Sequence, residues 1–198
     1  MIYMSQKIKT ITVYASASSR ISPVYFEAAG KLGKLLAEHS ITCVNGGGIR
    51  GLMAAVTEAV LENGGNVCGV IPLFMYNNGW MHPSIQEIII TPDMHSRKQT
   101  MADKSDACIA LPGGVGTLEE LLEIITWKQL GLYQNPIVIL NTAGYYDDLL
   151  AMLEKADREK FIHSPVAVWQ TAATPEEVLD LILNQLQPEE KSLEYIPI

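Results

Sequence analysis

Short apolar, β-branched runs recur along this chain of 198 residues, and they alternate with stretches of helical spacing. The runs are Ile8–Tyr14, Ile41–Asn45, Asn66–Ile71, Glu87–Thr91, Ala107–Leu111 and Pro136–Leu140, with a short last one at Val166–Trp169. Most are apolar along their whole length, without the in–out alternation of a half-solvated sheet. Strands of that kind are buried on both faces, which is the condition of a parallel sheet. The intervening helices are expected at Ser22–His39 with Pro23 in the first turn, Gly51–Glu62, Met94–Lys104, Thr117–Leu130, Tyr145–Arg158 and Thr174–Gln187. Residues 72–83 read as a polar loop. Right-handed crossovers then give an α/β fold, a doubly wound and mainly parallel sheet with helices on both faces, Rossmann-like in plan. One domain is expected over residues 1–187, with a tail at 188–198.

Composition narrows the function classes. A chain that is 48% hydrophobic and 18% charged can bury a substantial core. Its formal net charge of −8, without Lys/Arg runs, argues against a nucleic-acid partner. No apolar run approaches the roughly 20 residues that span a bilayer, so no membrane partner is expected. Met1–Lys9 lacks a signal-peptide pattern. Cys43, Cys68 and Cys108 lie within apolar runs and form no CxxC pair, as expected of buried thiols in a cytoplasmic protein. His39, His82, His95 and His163 show no metal-ligand spacing, so no metal is expected.

In a doubly wound sheet, ligands bind beyond the carboxyl ends of the strands. The richest such segment is Leu111–Glu120. There Pro112, Gly113, Gly114, Val115, Gly116 and Thr117 carry a strand end into a helix start. Bare N–H groups and the helix dipole make that junction a cradle for phosphate or another anion. Glu119 and Glu120 follow within one turn. Glu120 has two readings: the last member of a Thr117-x-x-Glu120 capping box, or a reactive acid beside the cradle. Helical spacing assigns Leu118, Leu121, Leu122 and Ile125 to the core face. Glu120, Glu123 and Trp127 fall on the other face, free to meet a ligand or a second subunit.

Four further segments share that sheet edge. Gly46-Gly47-Gly48-Ile49-Arg50-Gly51 matches GxGxxG, but it follows the second strand. The acid that a dinucleotide ribose requires about 20 residues on is missing. A phosphate-binding or close-packing turn, with Gly47 and Gly48 as candidate contacts, fits better than an NAD site. Ser16, Ser18, Ser19 and Arg20 can hold a phosphate or base, or simply turn the chain into a helix. Met94–Met101 places Arg97 and Lys98 near a helix start, where cations oppose the dipole and call for a carboxylate or bound anion. Arg97 reads as a site residue with Met94 beside it, whereas Lys98 can equally be surface charge. Trp80 and His82 either line a base pocket or lie on a surface loop.

PGGVGTLEE at 112–120, with MHSRKQTM at 94–101 and GGGIRGLM at 46–53, resembles the LOG (LONELY GUY) family of cytokinin riboside 5′-monophosphate phosphoribohydrolases. The likeness runs from about Ile8 to Leu186. It implies a Rossmann-like fold, a homodimer or an assembly of dimers, and no cofactor. The implied reaction is hydrolysis of the N-glycosidic bond of a purine ribonucleoside 5′-monophosphate, giving free base and ribose 5-phosphate. Carried onto matching positions, it makes Arg97 and Glu120 the catalytic pair. Lys98, the turn Gly113–Thr117, Glu119 and Thr126 would then contact the nucleotide. Glu120 would stabilise an oxocarbenium-like state or activate water, and Arg97 would orient it or hold ribose or phosphate oxygens, and lower its pKa. The loop 74–83 departs from the plant pattern, with Asn77–His82 where plant members carry a Gly-Glu segment. The preferred base, AMP-type or modified adenine, therefore stays open. Relatives have also been labelled possible lysine decarboxylases, but nothing here resembles a pyridoxal phosphate lysine motif. The rival readings are a nucleotide binder without catalysis and a dinucleotide oxidoreductase.

Overall fold

The structure, a computed structural model, describes residues 8–162 and 167–184. Seven strands, β1 (Thr10–Tyr14), β2 (Thr42–Asn45), β3 (Val67–Pro72), β4 (Glu87–Thr91), β5 (Ala107–Ala110), β6 (Ile137–Leu140) and β7 (Gln170–Ala172), form one sheet. Their order is β4-β3-β2-β1-β5-β6-β7, and every pairing is parallel. The helices are α1 (Pro23–Glu38), α2 (Gly51–Glu62), α3 (Leu73–Asn77), α4 (Met94–Asp103), α5 (Val115–Gln129), α6 (Asp147–Arg158) and α7 (Pro175–Leu183).

Two cores sandwich the sheet, as whole-length apolar strands require. On one face Leu32 and Leu36 of α1, Val56 and Val60 of α2 and Val178 and Ile182 of α7 pack on Ile11, Val13 and Ile109. On the other, Met101 of α4, Leu121, Ile124 and Ile125 of α5 and Leu153 of α6 pack on Val44, Val70, Cys108 and Ile139. The three cysteines are buried free thiols. Burial lifts the Cys43 and Cys68 thiols to about 12, far from a reactive thiolate. Winding reverses between β1 and β5. Both strands run parallel there, with Tyr14 opposite Ala110, and such a reversal point is where a sheet of this kind forms its ligand crevice.

Several expectations shift. Residues 73–77 form one helical turn where a loop was expected. The last strand lies at 170–172, not 166–169: Val166 falls outside the described residues, and 167–169 carry no strand. The fifth helix begins at Val115, two residues before Thr117. Residues 185–187 of the last expected helix and the tail at 188–198 lie outside the described residues.

Candidate active site

The turn after β5 is built to leave N–H groups open. Leu111, Pro112 and Gly113 are buried, whereas Gly114, Val115 and Gly116 are exposed. Gly114 is the N-cap of α5 and makes no side-chain cap bond. The first N–H groups of a helix have no partner within the helix, so this uncapped start presents donors and the positive dipole end to solvent. Of the two readings of Glu120, the capping box with Thr117 does not form, since Gly114 and not Thr117 is the N-cap. The glycines let the chain enter the helix at Val115, which places Thr117 inside the first turn. Its side chain folds back over Gly113, where any Cβ would overlap it. The same signature at Thr174–Glu177 does form a reciprocal box, with Thr174 at a true N-cap.

Glu120 instead turns toward α4. Asp93 caps α4 by accepting from the Ser96 N–H at 2.8 Å, and one turn on Arg97 reaches Glu120, Nη1 to Oε1, at 3.0 Å. The two side chains are only 7% and 8% exposed. Arg97 Nε also donates to the Val70 carbonyl of β3 at 3.1 Å, and Met94 Sδ lies 4.0 Å from Nη1. Gly46 closes the guanidinium's other side, since a Cβ there would overlap Nη2. One arginine thus ties together the ends of β2 and β3 and the start of α5.

Burial is the largest influence on Glu120 and pushes its pKa up. Arg97 pulls it back, and the like charge of Glu119 adds to the rise, so the net value stands above the ordinary carboxylate range. The expected lowering by Arg97 is real in direction but loses to desolvation. Lys98 is not surface charge. Its side chain is 5% exposed and bridges to Glu119 and, at 3.0 Å, to Glu123. Burial pulls its pKa down, but the two carboxylates outweigh that and raise it. These pairs satisfy the cations that sequence alone left opposing the α4 dipole.

The Gly46–Gly51 turn has a different task. The Gly47 N–H donates to Asn45 Oδ1 at 2.8 Å, and the Gly48 N–H to Met53 Sδ at 3.0 Å. The His82 N–H donates to the Gly47 carbonyl at 2.7 Å. Met81 Sδ sits where a Gly47 Cβ would be, and Gly47 adopts φ +68°. Gly47 and Gly48 therefore have no spare donors for a phosphate. The turn packs closely and frames Arg97. The His82 ring is buried. Its Nδ1 accepts from the Ser84 N–H at 3.3 Å, and its Nε2 faces Glu58 at 3.6 Å. With Tyr76, Met81 and Ile88 it lines a groove of about 410 Å³ at the β4 edge, whereas Trp80 is half exposed.

Ser16–Arg20 forms an exposed turn. The Ser18 N–H donates to Ser16 Oγ at 3.0 Å, and the Arg20 N–H to Ser18 Oγ at 3.4 Å. Its backbone presses on Gly51, whose φ of +65° starts α2, and it lies across the β1/β5 crevice from the glycine turn. Thr126 Oγ1 donates back to the Leu122 carbonyl at 2.8 Å. Leu122 is exposed, contrary to the core face assigned to it, while Ile124 and Glu120 are buried. The buried stripe of α5 instead runs through Thr117, Glu120, Leu121, Ile124 and Ile125. The sequence reading missed Gly46, Glu123 as a Lys98 partner, and Tyr145, whose hydroxyl donates to the Gly113 carbonyl at 2.7 Å. No signal in the sequence marks Gly46 as the residue that lies against Arg97, because that contact exists only once β2 and α4 are brought together.

The arrangement is thus an open anion cradle with a buried, arginine-held carboxylate one helical turn away. Glu120 lies four positions beyond Gly116, a rise of about 6 Å. That rise matches the reach from the phosphorus of a sugar 5-phosphate to its anomeric carbon.

Residues 53–182 match the family described as possible lysine decarboxylase. Cytokinin riboside 5′-monophosphate phosphoribohydrolase LOG7 of Arabidopsis thaliana is 48% identical over 161 residues, 81% of this chain and 74% of that protein. The probable phosphoribohydrolase LOGL6 of Oryza sativa subsp. japonica is 43% identical over 182 residues, 91% of this chain and 72% of that protein. Among solved structures, the molybdenum cofactor binding protein of Rippkaea orientalis superposes with a TM-score of 0.68 at 23% identity, covering 90% of this chain and 97% of that one. The molybdenum cofactor carrier protein of Chlamydomonas reinhardtii gives 0.68 at 20%, covering 90% and 100%. At those identities the likeness establishes the Rossmann-like fold and nothing further. Identity above 40% across most of the chain places this protein in the LOG family of phosphoribohydrolases.

Proposed function

We propose that this protein hydrolyses the N-glycosidic bond of an adenine-type purine ribonucleoside 5′-monophosphate, releasing free base and ribose 5-phosphate. The observation that carries the proposal is the buried Arg97–Glu120 pair one turn beyond an uncapped, glycine-rich helix start. The 5′-phosphate sits on the exposed N–H groups of Gly114–Gly116, where dipole and donors stabilise it. The ribose then lies along the first turn of α5, and its anomeric carbon faces Glu120. As the C–N bond stretches, positive charge grows on the ribose, and the carboxylate stabilises it or takes a proton from the attacking water. A carboxyl whose pKa burial has raised is a better base for that step than an ordinary one. Arg97 fixes the carboxylate in place. Lys98 holds Glu119 and Glu123 and so ties α4 to α5.

The outer face of α5 supports an assembly of two copies. Val115, Leu118, Leu122 and Trp127, with Glu119, Glu123 and Thr126, line an open groove of about 650 Å³. An apolar helix face of this kind beside the site fits a homodimer whose partner walls the site. The buried free thiols are those of a protein that works in a reducing compartment. Among the described residues, no helix is long and apolar enough to cross a membrane.

Incubation with a panel of purine nucleoside 5′-monophosphates, followed by chromatography of the products, tests the reaction. Free base and ribose 5-phosphate in equal amounts are expected. Nucleotide that binds and stays intact would leave a carrier, and release of inorganic phosphate with nucleoside would mean a phosphatase.

A further inference from the structure

The loop after β6 reaches across to the glycine turn and grips it twice. The Tyr145 hydroxyl donates to the Gly113 carbonyl and the Tyr146 hydroxyl to the Leu111 carbonyl, each at 2.7 Å. The two rings meet edge to face, with centroids 4.9 Å apart, and Tyr25 of α1 meets Tyr145 the same way at 5.6 Å. The loop gives up comfort to reach this geometry. Ala143 adopts φ +53° and Gly144 φ +70°, and Thr142 Oγ1 is the one buried side-chain oxygen or nitrogen without a partner among the described residues. Asn141 holds the bend, accepting from the Tyr146 N–H and donating to Asp147, both at 2.7 Å. Left-handed alanine and an orphaned hydroxyl persist when surrounding structure over-determines them, typically where a site is being shaped.

The two bonds differ in consequence. In a trans peptide the C=O and the following N–H point in opposite directions. The Leu111 carbonyl precedes Pro112, which has no N–H, so Tyr146 only anchors the turn. The Gly113 carbonyl precedes Gly114, so a bond that draws it inward turns the Gly114 N–H outward. Flanked by two glycines, that peptide has little of its own to stop it rotating. We infer that Tyr145 is a positioning residue, which aims the Gly114 N–H at the 5′-phosphate by holding the Gly113 carbonyl. The inference rests on the phosphate cradle proposed above.

The test compares wild type with Tyr145→Phe, which keeps the ring and its aromatic contacts and removes only the hydroxyl. Calorimetric binding of ribose 5-phosphate and of ribose is measured on both, alongside KM and kcat for AMP. Tyr145→Phe should weaken ribose 5-phosphate binding about three- to tenfold, as loss of one aimed hydrogen bond does. KM for AMP should rise to match, with kcat close to wild type, a split that general loss of structure would not give. Tyr146→Phe is the comparison, because it strands the buried Leu111 carbonyl and should lower thermal stability. If wild type prefers ribose 5-phosphate over ribose and Tyr145→Phe keeps the full preference, the role of Tyr145 is overturned. It is overturned too if the variant loses kcat with KM unchanged. If wild type itself binds ribose 5-phosphate no better than ribose, the cradle fails, and with it the reading on which this inference stands.

Discussion

Replacing Arg97 by methionine would remove the counter-charge of Glu120 while roughly keeping the side chain's length. The pair is 3.0 Å apart and both members are more than 90% buried. With charge centres about 4 Å apart and an effective permittivity near 20, their attraction is about 4 kcal/mol. The whole of that does not appear as lost stability, because a stranded carboxyl can take up a proton. The expected deficit is about 3 kcal/mol at mildly alkaline pH. About 1 kcal/mol of it is independent of pH, from the lost bond to the Val70 carbonyl. Its sign with pH follows from linkage. Burial already holds Glu120 above the ordinary carboxylate range, and removing Arg97 lifts it further. A carboxyl whose folded pKa exceeds its unfolded pKa favours the folded state at low pH. That contribution is lost as pH rises through the folded value. The deficit of Arg97→Met should therefore be largest near pH 8 and shrink toward about pH 5. Urea unfolding of both proteins across that range measures it. A deficit that is constant with pH, or absent, would refute Glu120 as the group that Arg97 neutralises.

Three other substitutions probe neighbouring parts of the account. Gly46→Ala places a methyl on Arg97 Nη2 and must push the guanidinium off Glu120. Turnover should fall about a hundredfold, with stability down about 1–3 kcal/mol, as read by adenine release and thermal melting. Lys98→Met leaves Glu119 and Glu123 facing each other. With Glu119 half exposed and screened, the loss should be about 1–2 kcal/mol by urea unfolding, and unchanged stability would make the α4–α5 bridge incidental. Leu122→Asp puts a charge on the outer face of α5. Light scattering should then show monomers of unchanged fold, and dimers that survive would place the interface elsewhere.

The fold was legible because its signal is one-dimensional. Strands buried on both faces must be apolar throughout, and boundaries read from that pattern fall within a residue or two at β4, α2 and α4. The last strand was placed a few residues early because Gln170–Ala172 is a short edge element whose residues are intermediate, exposed and buried in turn. The site was legible in its residue types. Arg97, Glu120 and the glycine turn were picked out, and the structure brings all three together. Their partnerships were not legible. A capping signature works only if its threonine is the N-cap, and at Thr117 the glycines start the helix two residues early. The GGG turn could be read as phosphate-binding or close-packing, because sequence cannot show that Asn45 and Met53 already occupy the Gly47 and Gly48 N–H groups. Lys98 could not be told from surface charge, because its carboxylates lie 21 and 25 positions away. Tyr145 carried no signal, since its role depends on a loop of left-handed backbone that only the folded sheet sets beside Gly113.

The most direct test of Glu120 as the reacting acid is adenine release from AMP by wild type beside Glu120→Gln. Glutamine keeps the shape and can still accept from Arg97, so the variant should remain folded. It should bind AMP within a few-fold of wild type and release base more slowly by about a hundredfold or more. A Glu120→Gln enzyme that turns over AMP at the wild-type rate would contradict the account.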